Sequence, residues 1–138
     1  MTSRLTEINV DCADPAGLAR FWCAALGYTV LEATDSLVEI GPERGSDAEL
    51  LETLRREPVA SSVFFALVPE HKTVKNRLHF DLSPIDCTQA DEVARLEALG
   101  ARHANVGQTG AESWVVMADP EGNEFCVLRS LAPGEFDL

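Results

Sequence analysis

The sequence predicts an α+β fold made of two copies of one unit, each a strand, a helix and three further strands. An alternating polar and apolar stretch occurs twice, as LTEINV at residues 5–10 and as RLHFDL at residues 77–82. Such alternation is typical of a strand with one buried face. A predicted helix follows each stretch and stops at Ala-Leu-Gly, residues 25–27 and 98–100. Recurrence of both features at half the chain length indicates a duplicated supersecondary unit.

The first copy, module 1 (residues 4–69), begins with its strand and a capped helix. Asp14 supplies an N-cap, Pro15 suits the first helical position, and Gly27 suits a left-handed stop. The helix carries an apolar stripe that includes Trp22, which is predicted to be a core residue. The remaining strands of this module are predicted at residues 28–32, 36–40 and 62–68.

Residues 43–58 interrupt the strand pattern and are predicted to form an inserted amphipathic helix. Ser46 or Asp47 can cap this helix, and Pro58 ends it. Three leucines recur with helical spacing and need a partner surface, so the insertion is either a mobile lid over a binding site or a dimer contact. These leucines are Leu50, Leu51 and Leu54.

The second copy, module 2 (residues 76–130), repeats the same order of elements. Its helix is predicted at residues 88–99, and its later strands at residues 102–106, 113–118 and 124–128. The last two strands are joined by Asp-Pro-Glu-Gly-Asn, in which Gly122 and Asn123 are expected to supply positive φ. An acidic tail at residues 131–138 is expected to be loosely held.

Composition excludes several classes of partner. The chain has 138 residues, is 46% hydrophobic and carries a formal net charge of −12, which disfavours binding to nucleic acid. No apolar stretch is long enough for a membrane span, and no signal peptide is recognisable. The four cysteines lack C-x-x-C spacing, so reduced thiols and a cytoplasmic location are expected.

The polar face of the repeated strand is the predicted functional surface. Each helix covers one face of its sheet, which leaves the other face available for a site. Glu7 and Asn9 lie on that face in module 1, and His79 and Asp81 lie on it in module 2. Such polar groups in an enclosed groove are explained by a ligand, by a metal or by mutual hydrogen bonding.

Three segments carry a resemblance to a known family. The helix D-P-A-G-L-A-R-F-W with its L-G-Y stop, the mid-chain K-N-R-L-H-F-D-L and the final A-D-P-E-G-N-E-F-C-V-L resemble the vicinal oxygen chelate superfamily. Its glyoxalase-like and bleomycin-resistance-like domains are the most similar members, over nearly the whole chain except residues 43–58 and the tail. The resemblance implies two βαβββ modules whose mixed sheets curl around a shared cleft, commonly within a homodimer.

The resemblance also implies a metal site, which this sequence retains only in part. The metal-dependent members hold their ion with four ligands from the first and last strands of both modules. Three of these positions fall on Glu7, His79 and Cys126, whereas the fourth falls on Phe65 or Ala66, which cannot coordinate. The remaining set suits Zn²⁺, and Fe²⁺ is the other candidate, but it does not suit Mg²⁺, Mn²⁺ or Ca²⁺. A complete metal site is therefore not favoured.

Several candidate residues keep two interpretations. His79 is either a general base or a histidine bonded to Glu7 or Asp81, and Glu7 is either its partner or a solvated carboxylate. Cys126 is either a ligand or an inert small apolar side chain. Trp114 lies either in the cleft wall or in the core.

The roles of two further pairs of residues are left open by the sequence. Phe64 and Phe65 point to opposite faces, so one of them is expected to line the cleft, and Phe65 is taken as the ligand-binding candidate. Asn76 and Arg77 either hold a substrate anion or form a polar link between modules.

Two function classes follow. The first is a protein that binds a small organic molecule between the modules, with Asn9, Asp81, Phe65, Trp114 and Cys126 as ligand contacts. The second is a metal-dependent lyase, isomerase or dioxygenase-like enzyme in which His79 and Glu7 do the chemistry, with Cys126 as a further metal ligand.

Overall fold

In the computed structural model, residues 1–135 are described, and the chain divides into two compact units, Met1–His71 and Lys72–Leu138. Each unit holds one four-stranded sheet with a helix between its first and second strands. The α+β fold with two βαβββ modules is therefore confirmed. Module 1 contains β1 (Glu7–Cys12), α1 (Pro15–Leu26), β2 (Thr29–Ala33), β3 (Leu37–Gly41), α2 (Asp47–Arg56) and β4 (Ser62–Leu67). Module 2 contains β5 (Asp81–Leu82), α3 (Gln89–Leu99), β6 (Arg102–His103), β7 (Val115–Ala118) and β8 (Glu124–Val127).

The two sheets have the same strand order. Module 1 is ordered β1-β4-β3-β2 and module 2 is ordered β5-β8-β7-β6. In each sheet the first strand lies at an edge and runs parallel to the last strand, while the other pairs are antiparallel. The strands expected to carry the site residues of a module are therefore direct neighbours.

Helix α1 begins and ends as its sequence predicts. Asp14 Oδ1 accepts a hydrogen bond from the Gly17 N–H at 3.0 Å, and Pro15 is the first helical residue. Gly27 ends the helix with φ of 68°, a left-handed conformation that costs glycine little. The helix packs on β2, β3 and β4 and buries Trp22, which confirms that side chain as core.

The core of module 1 consists of apolar residues in register across its sheet. Phe65 on β4 is fully buried and pairs with Val10 on one side and Val38 on the other. Phe64 points to the opposite face and is only partly buried. Phe65 therefore lies in the core, on the side of the sheet that α1 covers.

Helix α2 is a separate surface element of module 1. Ser46, rather than Asp47, is its N-cap: Ser46 Oγ accepts from the Glu49 N–H, and the Glu49 carboxylate accepts from the Ser46 N–H at 2.7 Å. Arg4 Nε donates to the Leu54 carbonyl at 2.8 Å. No residue of α2 is buried, and Leu51 is 53% exposed. The helix is therefore stabilised by its own caps more than by packing.

Strand β5 is shorter than the predicted strand at residues 77–82. Cys126 N–H donates to the Phe80 carbonyl at 2.9 Å, and Leu128 N–H donates to the Leu82 carbonyl at 2.7 Å. β5 lies at the sheet edge, so β8 is its one neighbour, and β8 begins only at Glu124. With Asp81 opposite Cys126, the first residue of β8 lies at the level of His79, so residues 77 and 78 have no strand residue opposite them. The other predicted strand ends agree with the structure or differ from it by up to three residues.

Helix α3 is capped as α1 is, by a side chain at its start and a glycine at its end. Thr88 Oγ1 accepts from the Asp91 N–H at 3.0 Å, and Gly100 has φ of 118°. The helix packs on β8 and buries Val93 and Leu96. Of the helices in residues 1–135, none is long and apolar enough to cross a membrane.

The turn between β7 and β8 is organised by one buried aspartate. Asp119 Oδ1 accepts from the Glu121 and Asn123 N–H groups, each at 2.9 Å, and the Asn123 amide donates to Asp119 Oδ2. Gly122 has φ of 89°, and every described residue with a positive φ is a glycine. The expectation of a positive φ at Asn123 was therefore wrong. Asn123 contributes to the turn through its side-chain amide, which donates to Asp119.

The start of the predicted tail is held firmly. Ser130 and Ala132 are buried, and Ser130 Oγ donates to the Cys87 carbonyl. Leu131 N–H donates to the Pro84 carbonyl at 2.8 Å. The expectation of a loosely held tail was therefore wrong for residues 131 and 132, and residues 136–138 lie outside the described chain.

Candidate functional site

Three side chains of module 2 converge on one point of its sheet. His79 precedes β5, Asp81 begins it, and Cys126 lies directly opposite Asp81 on β8. One donor atom from each residue lies within 4.8 Å of the other two. These three residues, called here the module 2 cluster, combine a nitrogen, an oxygen and a sulfur donor.

His79 and Asp81 form the solvent-facing part of the cluster. Their Nδ1 and Oδ1 atoms are 3.1 Å apart, and their side chains are 38% and 48% exposed. A carboxylate at this distance orients an imidazole and favours a proton on the facing nitrogen. Asp81, one of the partners considered from sequence for His79, lies beside it.

Cys126 forms the buried part of the cluster. Burial raises the pKa of its thiol, and the Asp81 carboxylate raises it further, both by its charge and by accepting the thiol proton. The Lys75 ammonium acts in the opposite direction. The causes that raise the thiol pKa disfavour an activated thiolate at Cys126.

The segment that leads to His79 is tied to the β8 end of the sheet. Lys72 Nζ donates to Glu124 Oε1 at 2.8 Å, and the Asn76 N–H donates to Glu124 Oε2 at 3.0 Å. The Asn76 amide donates to Asn123 Oδ1 at 3.4 Å. Asn76 therefore makes hydrogen bonds within the second unit.

The matching face of module 1 has different chemistry. Asn9 lies opposite Phe64, and Phe64 lies opposite Glu39 on β3. Glu39 is buried, and its Oε1 lies 3.5 Å from Arg44 Nη1. Glu7 is exposed at the start of β1. Cys126 thus has Phe64 as its positional counterpart in module 1, instead of Phe65 or Ala66, and Phe64 also lacks a metal-binding atom.

Two aromatic candidates have different positions. Phe65 is buried in the core of module 1 beneath α1, so in this structure it has no surface to offer a ligand. Trp114, just before β7, is 44% exposed, which excludes the core interpretation. Trp114 is therefore the aromatic candidate that remains at the surface.

Sequence reasoning missed two features of this region. Asp81 was expected to contact a ligand or to bond His79, and it does lie beside His79, but its position opposite Cys126 was not foreseen. The shared strand face of His79 and Asp81 was predictable, because they are two residues apart. The bonds that Lys72 and Asn76 donate to Glu124 had no such signal, since these donors lie 52 and 48 residues from their acceptor.

Comparison with known structures supports the fold assignment. A glyoxalase/bleomycin resistance/dioxygenase family enzyme from Burkholderia phytofirmans PsJN is 18% identical, with 91% of this chain and 97% of that chain covered and a TM-score of 0.59. A fosfomycin resistance protein from Listeria monocytogenes, in a complex with Mn(II) and 1S,2S-dihydroxypropylphosphonic acid, is 10% identical, with coverage of 94% and 92% and a TM-score of 0.62. A bleomycin resistance determinant encoded on the transposon Tn5 is 13% identical, with coverage of 93% and 98% and a TM-score of 0.53.

At these identities the structural likeness establishes the fold and leaves the chemistry open. No curated protein is significantly similar in sequence to this chain. The model of the glyoxalase-like domain family matches residues 7–128, which is most of the chain. The chain therefore belongs to the glyoxalase-like domain family of the vicinal oxygen chelate superfamily.

Proposed function

We propose that this protein binds a small organic molecule on the face of module 2 that carries His79, Asp81 and Cys126. The binding does not require the four-ligand metal site of the metal-dependent relatives, because the positional counterpart of Cys126 in module 1 is Phe64. A binding cleft shared with Glu7 and Asn9 of module 1, as the family resemblance implies, stays part of this proposal.

The module 2 cluster is the observation that carries the proposal. Three polar side chains meet on a sheet face, and two of them are open to solvent, so a ligand can reach them. Val116 pairs with Cys126 on the other side and is buried, which gives the face an apolar part beside the polar one. Small-molecule sites combine a few converging polar groups with apolar walls in this way.

Trp114 is the proposed aromatic wall of the site. It immediately precedes β7, the strand that follows β8 in the sheet order. Its exposure leaves an indole surface for stacking, which is worth about 0.5–1.5 kcal/mol beyond the buried area. Phe65 is not included, because it is in the core.

Tryptophan fluorescence tests the proposal, because the chain has only two tryptophans and one of them is buried. Catechol, bleomycin and an S-alkyl glutathione serve as probes of three ligand classes. At least one probe is expected to change the emission of the wild type. The same probe is expected to leave the emission of Trp114→Phe, which retains Trp22, unchanged. His79→Gln and Asp81→Asn are expected to weaken that binding about tenfold, or about 1.4 kcal/mol.

The matched control is His103→Gln, an exposed histidine of the same module that lies 3.0 Å from Glu97 and outside the cluster. It is expected to bind the probe as the wild type does. The proposal is contradicted if none of the three probes alters the emission, or if cluster variants bind as tightly as His103→Gln.

A second candidate is a metal-dependent lyase, isomerase or dioxygenase-like enzyme using Glu7, His79 and Cys126. Two residues of this candidate, His79 and Cys126, lie together in the cluster, and a nitrogen and a sulfur donor suit Zn²⁺. A bound ion would supply Lewis-acid polarisation of a substrate oxygen. Glu7, exposed on β1, is the group proposed to move a proton.

Turnover separates the two candidates. The enzyme candidate expects Zn²⁺-dependent conversion of a hemithioacetal, or Fe²⁺-dependent cleavage of catechol, that Glu7→Gln lowers by about a hundredfold or more. The binding candidate expects a probe to be recovered unchanged after prolonged incubation with the protein and either ion.

Assembly and location belong to the same proposal. We propose a cytoplasmic homodimer, as the sequence and the family resemblance imply. Sedimentation equilibrium of the purified chain is expected to give twice the mass of 15.0 kDa. A monomeric mass at micromolar concentration would contradict the proposed dimer. It would not bear on the proposed binding site in module 2.

A further inference from the structure

Helix α2 presents an apolar side chain to solvent between two ends of opposite charge. Leu51, at the middle of the helix, is 53% exposed, the first turn is acidic and the last turn is basic. We propose that one face of α2 docks on the same face of a second copy of this chain, with the two helices antiparallel. The inference rests on the homodimer proposed above and names a surface that forms it. This surface, called here the α2 face, consists of Asp47, Ala48, Leu51 and Arg55, which are all exposed.

The other side of α2 faces the rest of module 1. Leu50, Thr53 and Leu54 are half-buried, and Arg4 Nε donates to the Leu54 carbonyl at 2.8 Å. Residues three or four apart share one side of a helix, so these contacts leave Leu51 on the solvent side. The α2 face is therefore directed away from the module that carries it.

The stability of the helix itself accounts for the charges but leaves Leu51 unexplained. Carboxylates in the first turn and guanidinium groups in the last turn complement the helix dipole. That effect needs no apolar side chain between them on the exposed side. A helix of ten residues is marginal by itself in water, and no residue of α2 is buried. A partner that covers Leu51 explains both observations.

A second copy of α2 is the partner that the charge pattern fits. Asp47 is four residues before Leu51 and Arg55 is four residues after it, so each lies about 6 Å from Leu51 along the helix axis. Antiparallel pairing centred on Leu51 brings Asp47 of each helix level with Arg55 of the other. Parallel pairing would bring like charges level instead. The small side chain of Ala48 leaves room for Arg55 of the second copy to cross the interface.

The charged groups of the α2 face are held only loosely within the chain. Asp47 Oδ1 lies 3.8 Å from Arg44 Nη2, and the Asp47 side chain is 91% exposed. Arg55 Nη1 lies 3.9 Å from Glu52 Oε2, and both side chains are exposed. Exposed ion pairs at such distances contribute little to stability. Asp47 and Arg55 can therefore exchange these contacts for pairs across an interface at little cost.

The helix is already formed and fixed where a second copy would meet it. The capping box of Ser46 holds its start, and the bond from Arg4 holds its last turn. Arg44, just before the helix, lies 3.5 Å from the buried Glu39 carboxylate. A preformed surface loses little freedom when it associates, which favours affinity. Residues 43–58 also lie outside the segments that carry the family resemblance, so that resemblance does not imply this surface.

The length of α2 limits what the contact contributes. Ten residues form a helix about 15 Å long, which is too short to bury by itself the roughly 800 Å² per partner of a stable interface. The α2 face is therefore one contact of the dimer, and its variants are expected to weaken the dimer.

Sedimentation equilibrium of the full-length protein over a wide range of concentrations gives the dissociation constant of the dimer. Leu51→Glu is expected to raise this constant more than about tenfold, because it brings two carboxylates together at the centre of the contact. The matched control is Leu131→Glu, since Leu131 is also 53% exposed but lies outside α2. The control is expected to keep the wild-type constant, and circular dichroism verifies that each variant is folded.

Charge reversal tests the antiparallel arrangement. Asp47→Arg and Arg55→Asp each bring like charges level with one another, so each is expected to raise the dissociation constant about fivefold or more. The double variant restores both pairs in reversed order and is expected to return close to the wild-type constant. An equimolar mixture of the two single variants is expected to associate more tightly than either alone, because each supplies the charge that the other has lost.

The double variant separates an interface from a role within the helix. Its charges oppose the helix dipole at both ends, so a purely structural role makes it the weakest dimer of the series. The docking inference makes it stronger than either single variant, and the opposite order would overturn the inference.

Three further results would overturn the inference. The first is a wild type that stays monomeric throughout the range, and the second is a Leu51→Glu dimer as tight as the wild type. The third is a Leu51→Glu variant that loses binding of an organic probe at unchanged mass, which would make α2 a lid over a ligand. A dimer that no α2 variant weakens would keep the proposed homodimer and remove only this surface, so the two proposals fail separately.

Discussion

Modules 1 and 2 share a strand order but differ in the residues on the sheet face opposite the helix. The row in module 1 is Asn9, Phe64 and Glu39, and the row at the same register in module 2 is Asp81, Cys126 and Val116. The rows under the helices are apolar in both modules. Duplication has therefore preserved the residues that specify topology, while the opposite row has been free to acquire different chemistry.

The modules also differ in how their last two strands are connected. In module 2 a five-residue turn around Asp119 joins β7 to β8, whereas in module 1 the connection from β3 to β4 contains α2. The turn is held by a buried carboxylate, and the insertion is held by exposed caps. The contrast teaches that one position in a repeated unit can be either a rigid closure or a tolerant insertion point.

Replacing Phe65 by alanine is expected to have the largest effect on stability. The side chain is fully buried beneath α1, so its loss leaves a cavity that costs about 3–5 kcal/mol of unfolding free energy. Phe64→Ala, on the partly buried face of the same strand, is the matched control and is expected to cost about 1 kcal/mol. Guanidinium unfolding of both variants provides the measurement.

The assignment of the two faces would be contradicted if Phe64→Ala lowered the unfolding free energy more than Phe65→Ala does. It would also break if Phe65→Ala kept its stability and lost binding of an organic probe, because Phe65 would then belong to a ligand site instead of the core.

Removing the Asp119 carboxylate is expected to have the next largest effect. Asp119→Ala leaves the Glu121 and Asn123 N–H groups without their acceptor, at a cost of about 2–3 kcal/mol. Ser46→Ala removes the cap of α2 in the matching connection of module 1 and is expected to cost about 1 kcal/mol or less. Thermal unfolding of the two variants compares the two connections. Equal losses of stability would show that the turn contributes no more to stability than the cap of the insertion does.

Much of the fold could be predicted from local sequence because its signals are local. Asp14, Gly27 and Ser46 act within a few residues of their partners, so cap chemistry located both ends of α1 and placed the start of α2 within one residue. The length of β5 could not be predicted in this way. It depends on pairing with β8, where the partner of Asp81 lies about 45 residues further along the chain.

The site could be predicted only where strand alternation determines side-chain direction. His79 and Asp81 share a face because they are two residues apart, and this much follows from sequence. Alternation leaves open which of Phe64 and Phe65 the helix covers, since that depends on the pairing of β4 with both β1 and β3. Phe65 was therefore assigned to a ligand when it belongs to the core.

Acidification is expected to weaken module 2 through Glu124, with a smaller effect than the previous changes. Burial, the largest single influence, raises the pKa of Glu124, but bonds from Lys72 and from the Asn76 N–H together lower that pKa below its ordinary value of 4.5. Because the folded-state pKa is lowered, the stabilisation is complete above the unfolded value and is lost as the pH falls through the folded value. Wild type is therefore expected to lose more unfolding free energy between pH 6 and pH 3 than Glu124→Gln does.

Urea unfolding at several pH values measures this difference, and Lys72→Met provides its control. Lys72→Met removes the ion pair of Glu124 but keeps the Asn76 bond, so it is expected to lie between wild type and Glu124→Gln in its dependence on pH. In the corresponding segment of module 1, before β1, the Ser62 N–H donates to the Thr6 carbonyl. That bond contains no titratable group, so it does not depend on pH. Parallel curves for wild type and Glu124→Gln would show that the approach to His79 is held by packing alone.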